Sequence, residues 1–221
     1  MIRNTADDRL ARIVSVAVVN LIVWAYPCGA APEVTFDRWY AVLLQGQPAG
    51  WLHTNEMQKD QQITSQAQMH LEIRRGASVP KIEIDSQFVE TTNGEPIRSE
   101  LVRNLGLFET KQTVVYTEDQ IEMTIEQTGQ TQQNVYPRST QTWMPPAAAG
   151  RYVEQQVGQG AREIQYWMVD PMGGVEPFEA RMIMRGRENT EVRGKVVPAM
   201  VWDMSTSQLP GIVSRVYTDE K

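Results

Sequence analysis

Few residues in this chain of 221 residues have the types and spacing needed for chemistry, and its two histidines, His53 and His70, come first. A metal site needs three or four converging ligands. His70 alternates with Glu72 and Arg74, so these three side chains are expected on one face of a strand. Because a solvated strand face explains this alternation by itself, we predict no metal site and no cofactor.

A second candidate for chemistry is the carboxylate pair Glu83 and Asp85. On one strand face these side chains would lie about 7 Å apart. Paired carboxylates perform acid–base catalysis when one of them is desolvated, but Lys81 and Gln87 share this face and indicate water. The chain also lacks a Gly-x-Ser-x-Gly elbow and a phosphate-binding glycine loop after a strand. We therefore predict no catalytic residue and no enzyme activity.

Methionines are the strongest candidates for binding a ligand. Methionine is flexible and polarisable, and it suits irregular apolar surfaces. A sheet that curves without closing would let such side chains line a cavity for an acyl chain or another apolar ligand. Ordinary core filling is the alternative. The methionines assigned to this apolar site are Met69, Met123, Met168, Met182 and Met184.

The elements that must position these residues begin with the stretch Trp39 to Thr54. Two apolar runs, Trp39–Leu44 and Gly50–His53, flank Gly46, Pro48 and Gly50. Glycine permits positive φ and proline fixes φ near −65°, so this stretch is expected to form a β-hairpin with the turn at these residues.

Period-two alternation recurs downstream and indicates an antiparallel sheet with one buried and one wet face. Pro145-Pro146 interrupts it, and Ala147 to Val157 is expected to form one short helix. Near the end, Phe178–Arg185, Glu191–Val197 and Ala199–Met204 are predicted as three strands. The expected fold is mainly β: a curved antiparallel meander sheet or half-barrel with one short helix, spanning residues 32–221 as one domain.

Residues 1–31 are typical of an export signal. Basic residues precede the apolar run from Ile13 to Trp24, and Gly29, Ala30 and Ala31 fit a cleavage site. The run is short for a transmembrane helix, although an uncleaved anchor or a buried strand remains an alternative. Pro27 fits poorly before a lipidated Cys28, so lipidation is the less favoured interpretation. We expect an exported protein of the bacterial periplasm or cell envelope.

Composition narrows the range of partners. The formal net charge is −6 and no long basic block is present, so a nucleic-acid partner is not expected. The single cysteine cannot form an internal disulfide. Tryptophans are expected in the core or at its rim; they are Trp39, Trp51, Trp143, Trp167 and Trp202.

The hairpin W-Y-A-V-L-L-Q-G-Q-P-A-G-W-L-H-T resembles the first hairpin of an exported bacterial β-domain. That domain precedes the catalytic domain in transglutaminase-like proteins, especially those of the planctomycete type. The proline break, the helix, Tyr166 with Asp170-Pro171, and Val201-Trp202 followed by Leu209-Pro210-Gly211 match the same pattern. The chain also looks similar to the curved sheet of lipoprotein carriers.

The resemblance implies an accessory module without its enzyme. The transglutaminase-like family uses a Cys-His-Asp triad, whereas Cys28 lies in the leader and both histidines lie in strands of the front domain. We therefore expect a binding module whose partner is a transglutaminase-like catalytic domain or another exported protein. The alternatives are a carrier or sensor that holds an acyl chain or lipid, and a fragment of an enzyme whose triad is encoded further on.

Overall fold

The structure, a computed structural model, describes residues 33–44, 47–72, 79–106, 108–192 and 195–218. The expected export signal, residues 1–31 with Cys28, lies outside this part of the chain. Eight consecutive strands form an antiparallel meander in which each strand pairs with the next. Their bounds are β1 (Glu33–Leu44), β2 (Gln47–Lys59), β3 (Gln62–Glu72), β4 (Lys81–Thr91), β5 (Pro96–Asn104), β6 (Glu109–Tyr116), β7 (Gln120–Gln127) and β8 (Gln130–Pro137).

A helix and a second, smaller sheet follow. These elements are α1 (Pro146–Gly158), β9 (Glu163–Met168), a short 3-10 helix (Pro171–Gly173), β10 (Phe178–Val192), β11 (Lys195–Thr206) and β12 (Val213–Thr218). The small sheet is antiparallel with the order β12-β11-β10-β9. Within the described residues β1 and β8 do not pair with each other, so the large sheet is open. The predicted class, a mainly β antiparallel meander with one short helix, is confirmed.

The helix prediction is accurate to one residue at each end. Proline at the first helical position, Pro146, has a φ suited to a helix and lacks an N–H that would have no intrahelical partner. The alanines that follow are the best helix formers, and Ala147 and Ala149 are buried. The helix lies between the sheets, with its side packed on the small sheet and its first turn close to carboxylates of the large sheet.

Two details of the strand prediction are wrong. Pro48 and Gly50 lie inside β2 and not in the turn of the first hairpin. Gly50 is required by close approach, since a Cβ there would lie 1.8 Å from the carbonyl oxygen of His70 on β3. The predicted strand Glu191–Val197 instead spans the end of β10 and the start of β11. A register shift between Met184 and Gly186 breaks the alternation within β10, which explains why the predicted strand Phe178–Arg185 stops before the end of β10.

Two apolar clusters form the core. The first joins Phe88 and Val114 of the large sheet to Val169 and Val175, which follow β9. We call the second the helix cluster; in it Ala149 of α1 packs against the small sheet around Trp202. Strand pairing places Phe88 and Glu90 on one face of the large sheet, here called the inner face, and Trp39 and His53 on the opposite, outer face.

Candidate functional site

The structure separates the five methionines predicted to bind an apolar ligand. Met168, Met182 and Met184 belong to the helix cluster, where Met182 is only 7% exposed. Met123 packs against the other core cluster. Met69 belongs to neither cluster and lies between Leu52 and Ile84 of the neighbouring strands. Three of the five are therefore brought together around α1, and the ligand assignment stays a prediction.

Two surface cavities bear on the prediction of an apolar ligand. One, of about 340 Å³, lies beside Ile121, Tyr136 and Trp167. The other, of about 230 Å³, lies on the inner face of β1–β4 beside Phe36, Glu56 and Phe88, and is closed by Pro146 and Pro171. None of the five methionines lines either of these cavities. Continuous methionine lining, the feature expected of a carrier, is absent from both.

The smaller cavity combines apolar side chains, such as Phe36 and Phe88, with several polar groups. Burial raises the pKa of Glu56, although the nearby charge of Arg151 opposes this effect. Burial also raises the pKa of Asp170, whose carboxylate accepts a 2.7 Å hydrogen bond from the Met172 N–H. Thr54 Oγ1 and Ser65 Oγ are buried without a partner among the described residues.

A fully buried carboxylate, that of Glu90 on β4, stands at the start of the helix. Its two oxygens accept hydrogen bonds from the N–H groups of Ala147 and Ala148, both at 3.0 Å, and Arg151 Nη2 lies 3.4 Å away. Burial raises the pKa of Glu90, and these hydrogen bonds partly counteract the rise. All its partners belong to α1, so the arrangement supplies a helix cap from a neighbouring strand and offers no group to a substrate.

Both histidines lie on the outer face and stack with tryptophans. The Trp39 and His53 rings are 4.2 Å apart at an interplanar angle of 11°, and the Trp51 and His70 rings are 6.0 Å apart at 14°. His53 Nε2 lies 3.0 Å from Asp37 Oδ1. This arrangement places Trp39, 58% exposed, and Trp51 in solvent. Trp39 and Trp51 are therefore not core residues, whereas Trp202, at 1% exposed, is a core anchor.

The carboxylates Glu83 and Asp85 share a strand face, as predicted. Glu83 lies opposite His70, and its Oε1 is 3.4 Å from His70 Nδ1. Asp85 lies opposite Gln68. Glu72 also contacts His70, and this hydrogen bond, together with the charge of Lys81, holds the pKa of Glu72 below its usual value. Within the described ranges, no group of three or more His, Cys, Asp or Glu side chains is placed to hold a metal ion.

An exposed apolar surface lies at the end of the small sheet. Leu209 and Ile212 lie in the connection from β11 to β12, and Val213 and Tyr217 share one face of β12. Arg215 lies between these two on the same face and pairs with Asp203 at 3.3 Å. Each of the four apolar residues is at least 41% exposed. We call these four residues the C-terminal apolar surface. β12 pairs only with β11, so its other edge has no partner strand among the described residues.

Sequence reasoning did not find the helix cap formed by Glu90 or the position of Trp51 on the outer face. Glu90 is one acidic residue among many, and only the return of the chain at Pro145-Pro146 places a helix over it. The position of Trp51 had a usable signal, because pairing of β2 with β3 places it opposite His70, which was expected on a wet strand face.

Comparison of the chain with protein-family models, with curated proteins and with solved structures found no match. In the part of the chain that is described, no helix has the length and apolar character needed to cross a membrane.

Proposed function

We propose that this chain is a non-catalytic binding module of the bacterial cell envelope that acts by contact with another protein. The C-terminal apolar surface is the observation that carries the proposal. Exposed apolar side chains concentrated on one strand and its adjoining turn are typical of interaction sites, and Arg215, which lies between Val213 and Tyr217 on the same face, is paired with Asp203. The unpaired edge of β12 adds backbone groups that a partner strand can bind.

The filling of the core supports a role in contact over a role in carrying a lipid. Met168, Met182 and Met184 pack around α1 with Ile164, Tyr166 and Trp202, where they contribute to the core. An acyl chain would need that space.

The proposed partner class follows from the resemblance of the first hairpin to the front domain of transglutaminase-like proteins. The proposed partner is a transglutaminase-like catalytic domain, encoded by this gene or by another. The wider class is any exported protein that buries the C-terminal apolar surface. Placement in the envelope rests on the export signal expected at residues 1–31.

The experiment compares tagged full chains in their native cells. Val213→Asp inserts a charge into the C-terminal apolar surface, and Val135→Asp inserts the same charge at a 63% exposed valine on β8, away from that surface. We expect one protein to co-purify with the wild type and the β8 variant and to be lost from the β12 variant, with unchanged circular dichroism. Equal recovery from both variants contradicts the proposal.

The carrier alternative has its own test. Native mass spectrometry of the purified protein, followed by lipid extraction, measures the bound acyl ligand directly. We expect a ligand-free protein. A stoichiometric lipid in the wild type that is absent from the Met184→Asp variant would support a carrier and contradict the contact module.

A further inference from the structure

The edge strand β1 presents an aromatic ring and a carboxylate on the outer face, remote from the C-terminal apolar surface. Trp39 is 58% exposed, and Asp37 lies two residues before it on the same face. β1 pairs only with β2, so its other edge has no partner strand among the described residues.

The stack with His53 fixes the orientation of the Trp39 ring. His53 is directly opposite Trp39 on β2, and the two ring planes are nearly parallel at 4.2 Å. One face of the indole is therefore covered from the β2 side. Trp51, the second ring in contact with Trp39, is also on β2, at 5.1 Å and 48°. Both rings in contact with Trp39 therefore belong to β2, and on the free-edge side no described strand covers the indole.

A further strand on this edge would place side chains against that uncovered side of the indole. Adjacent strands lie about 4.8 Å apart, and directly opposite side chains are in contact. Residues two apart on a strand are separated by about 7 Å, so the Asp37 carboxylate is near the same side chain of an added strand. Such a side chain would have an indole face on one side and a carboxylate beside it.

The charges on the outer face indicate which type of side chain an added strand would place on Trp39. Across the described outer face of β1–β4, Asp37, Glu83 and Asp85 carry negative charge, and one oxygen of Asp37 is in contact with His53. Of the two lysines on this face, Lys81 is paired with Glu72 at 3.5 Å, and Lys59 is four residues along β2 from Asn55, the residue opposite Asp37. Arg38 belongs to the inner face, where it stacks over the Phe36 ring at 4.5 Å. Guanidinium groups stack on tryptophan and pair with carboxylates.

We propose that the free edge of β1 binds an extended, arginine-containing peptide segment of another protein, with one guanidinium placed on Trp39 and beside Asp37. Backbone pairing supplies the general affinity, and the Trp39–Asp37 pair selects the cation. This site does not depend on the proposed role of the C-terminal apolar surface.

The test uses the full chain and a fluorescein-labelled peptide, Thr-Arg-Thr-Arg-Thr-Arg-Thr, in which alternate positions put every arginine on one face. Fluorescence anisotropy is expected to show saturable binding below about 1 mM that weakens with added salt. The same peptide with citrulline in place of arginine is expected to bind at least about fivefold more weakly. The same peptide with every backbone nitrogen methylated keeps the charge, has no N–H donor for the backbone ladder, and is expected not to bind.

Variants of the chain locate the site. Trp39→Ala and Asp37→Asn are each expected to weaken binding about fivefold, Trp39→Phe to restore part of the loss, and Val135→Asp on the far edge to leave the affinity unchanged. Trp39 is exposed, so the fold is expected to survive, and circular dichroism checks this. Equal binding of the citrulline peptide, or unchanged affinity in Trp39→Ala, overturns the proposal. So does self-association of the chain through Trp39 without peptide binding, because the edge would then bind a second copy.

Discussion

The side chain of Glu90 on β4 accepts a 3.0 Å hydrogen bond from the backbone N–H of Ala147, in the first turn of α1. This bond joins two elements 57 residues apart in the sequence. It holds the helix against the large sheet while the opposite side of the helix packs on the small sheet. The position of the small sheet, and with it the C-terminal apolar surface, therefore depends on a buried carboxylate.

Glu90→Gln tests this dependence. An amide has one oxygen, so one of the two helix N–H groups would face an NH₂ group and lose its acceptor. We expect the free energy of unfolding to fall by about 1–3 kcal/mol, measured by urea denaturation. Glu100→Gln on the exposed outer face, which removes an ion pair with Lys111, is the matched control and is expected to cost below about 1 kcal/mol. Equal losses in the two variants would contradict the capping role.

Stability is expected to rise as the pH is lowered from neutral. Burial raises the pKa of Glu56, Glu90 and Asp170 above the ordinary values of 4.5 and 3.8. The folded state therefore takes up protons at a higher pH than the unfolded state, and the free energy of unfolding increases towards about pH 5. Urea denaturation between about pH 7 and pH 5 measures the slope, which Glu56→Gln is expected to reduce.

Asp203 has the opposite pH dependence and serves as the control. The hydrogen bond from Arg185 Nε to Asp203 Oδ2, at 2.6 Å, lowers the pKa of Asp203. Its contribution is present above the unfolded value of 3.8 and is lost as the pH falls through the lower folded value. Asp203→Asn should leave the slope between about pH 7 and pH 5 unchanged. A steeper slope in Glu56→Gln would contradict the assignment.

Replacement of Gly50 by a residue with a Cβ is expected to destabilise the fold for steric reasons. In Gly50→Ala the new Cβ would meet the His70 carbonyl oxygen, so β3 would have to move away from β2. We expect a loss of about 1–3 kcal/mol in the free energy of unfolding. Gly158→Ala at the end of α1 meets no atom within 4 Å and is expected to be neutral or stabilising by up to about 1 kcal/mol. Thermal denaturation measures the stability of both variants. A larger loss in Gly158→Ala than in Gly50→Ala would contradict the steric explanation.

Met182 distinguishes core filling from ligand lining. It is 7% exposed within the helix cluster, so Met182→Ala should leave a cavity and lower the free energy of unfolding by about 2–4 kcal/mol. Leu209→Ala, at an exposed position of the C-terminal apolar surface, should change it by less than about 0.5 kcal/mol. A stable Met182→Ala protein would indicate that the methionine lines a space already open to a ligand.

Local patterns were sufficient to predict most of the fold. Alternation of His70 with Glu72, and of Glu83 with Asp85, predicted strands and their wet faces. Asn93-Gly94, a dipeptide typical of tight turns, lies between β4 and β5, where Gly94 has a φ of +84°. The turn at Pro48 and Gly50 was mispredicted because the need for glycine arises from β3, a strand further along the chain.

Features of the surfaces depended on long-range placement. No sequence pattern near Glu90 indicates that a helix covers it. Trp39 looks like any core aromatic until pairing with His53 assigns it to the outer face. Such relationships depend on which distant elements meet, and periodicity within one segment carries no information about them.

The most direct test of the contact role places a photo-activated cross-linking side chain at Tyr217 of the full-length protein, in its native cells. The same side chain at Val135 on β8, also strongly exposed, is the matched control. We predict a covalent adduct with one exported protein from position 217 and none from position 135, identified by mass spectrometry. Adducts of equal yield from both positions, or no adduct from position 217, would contradict a binding module that uses the C-terminal apolar surface.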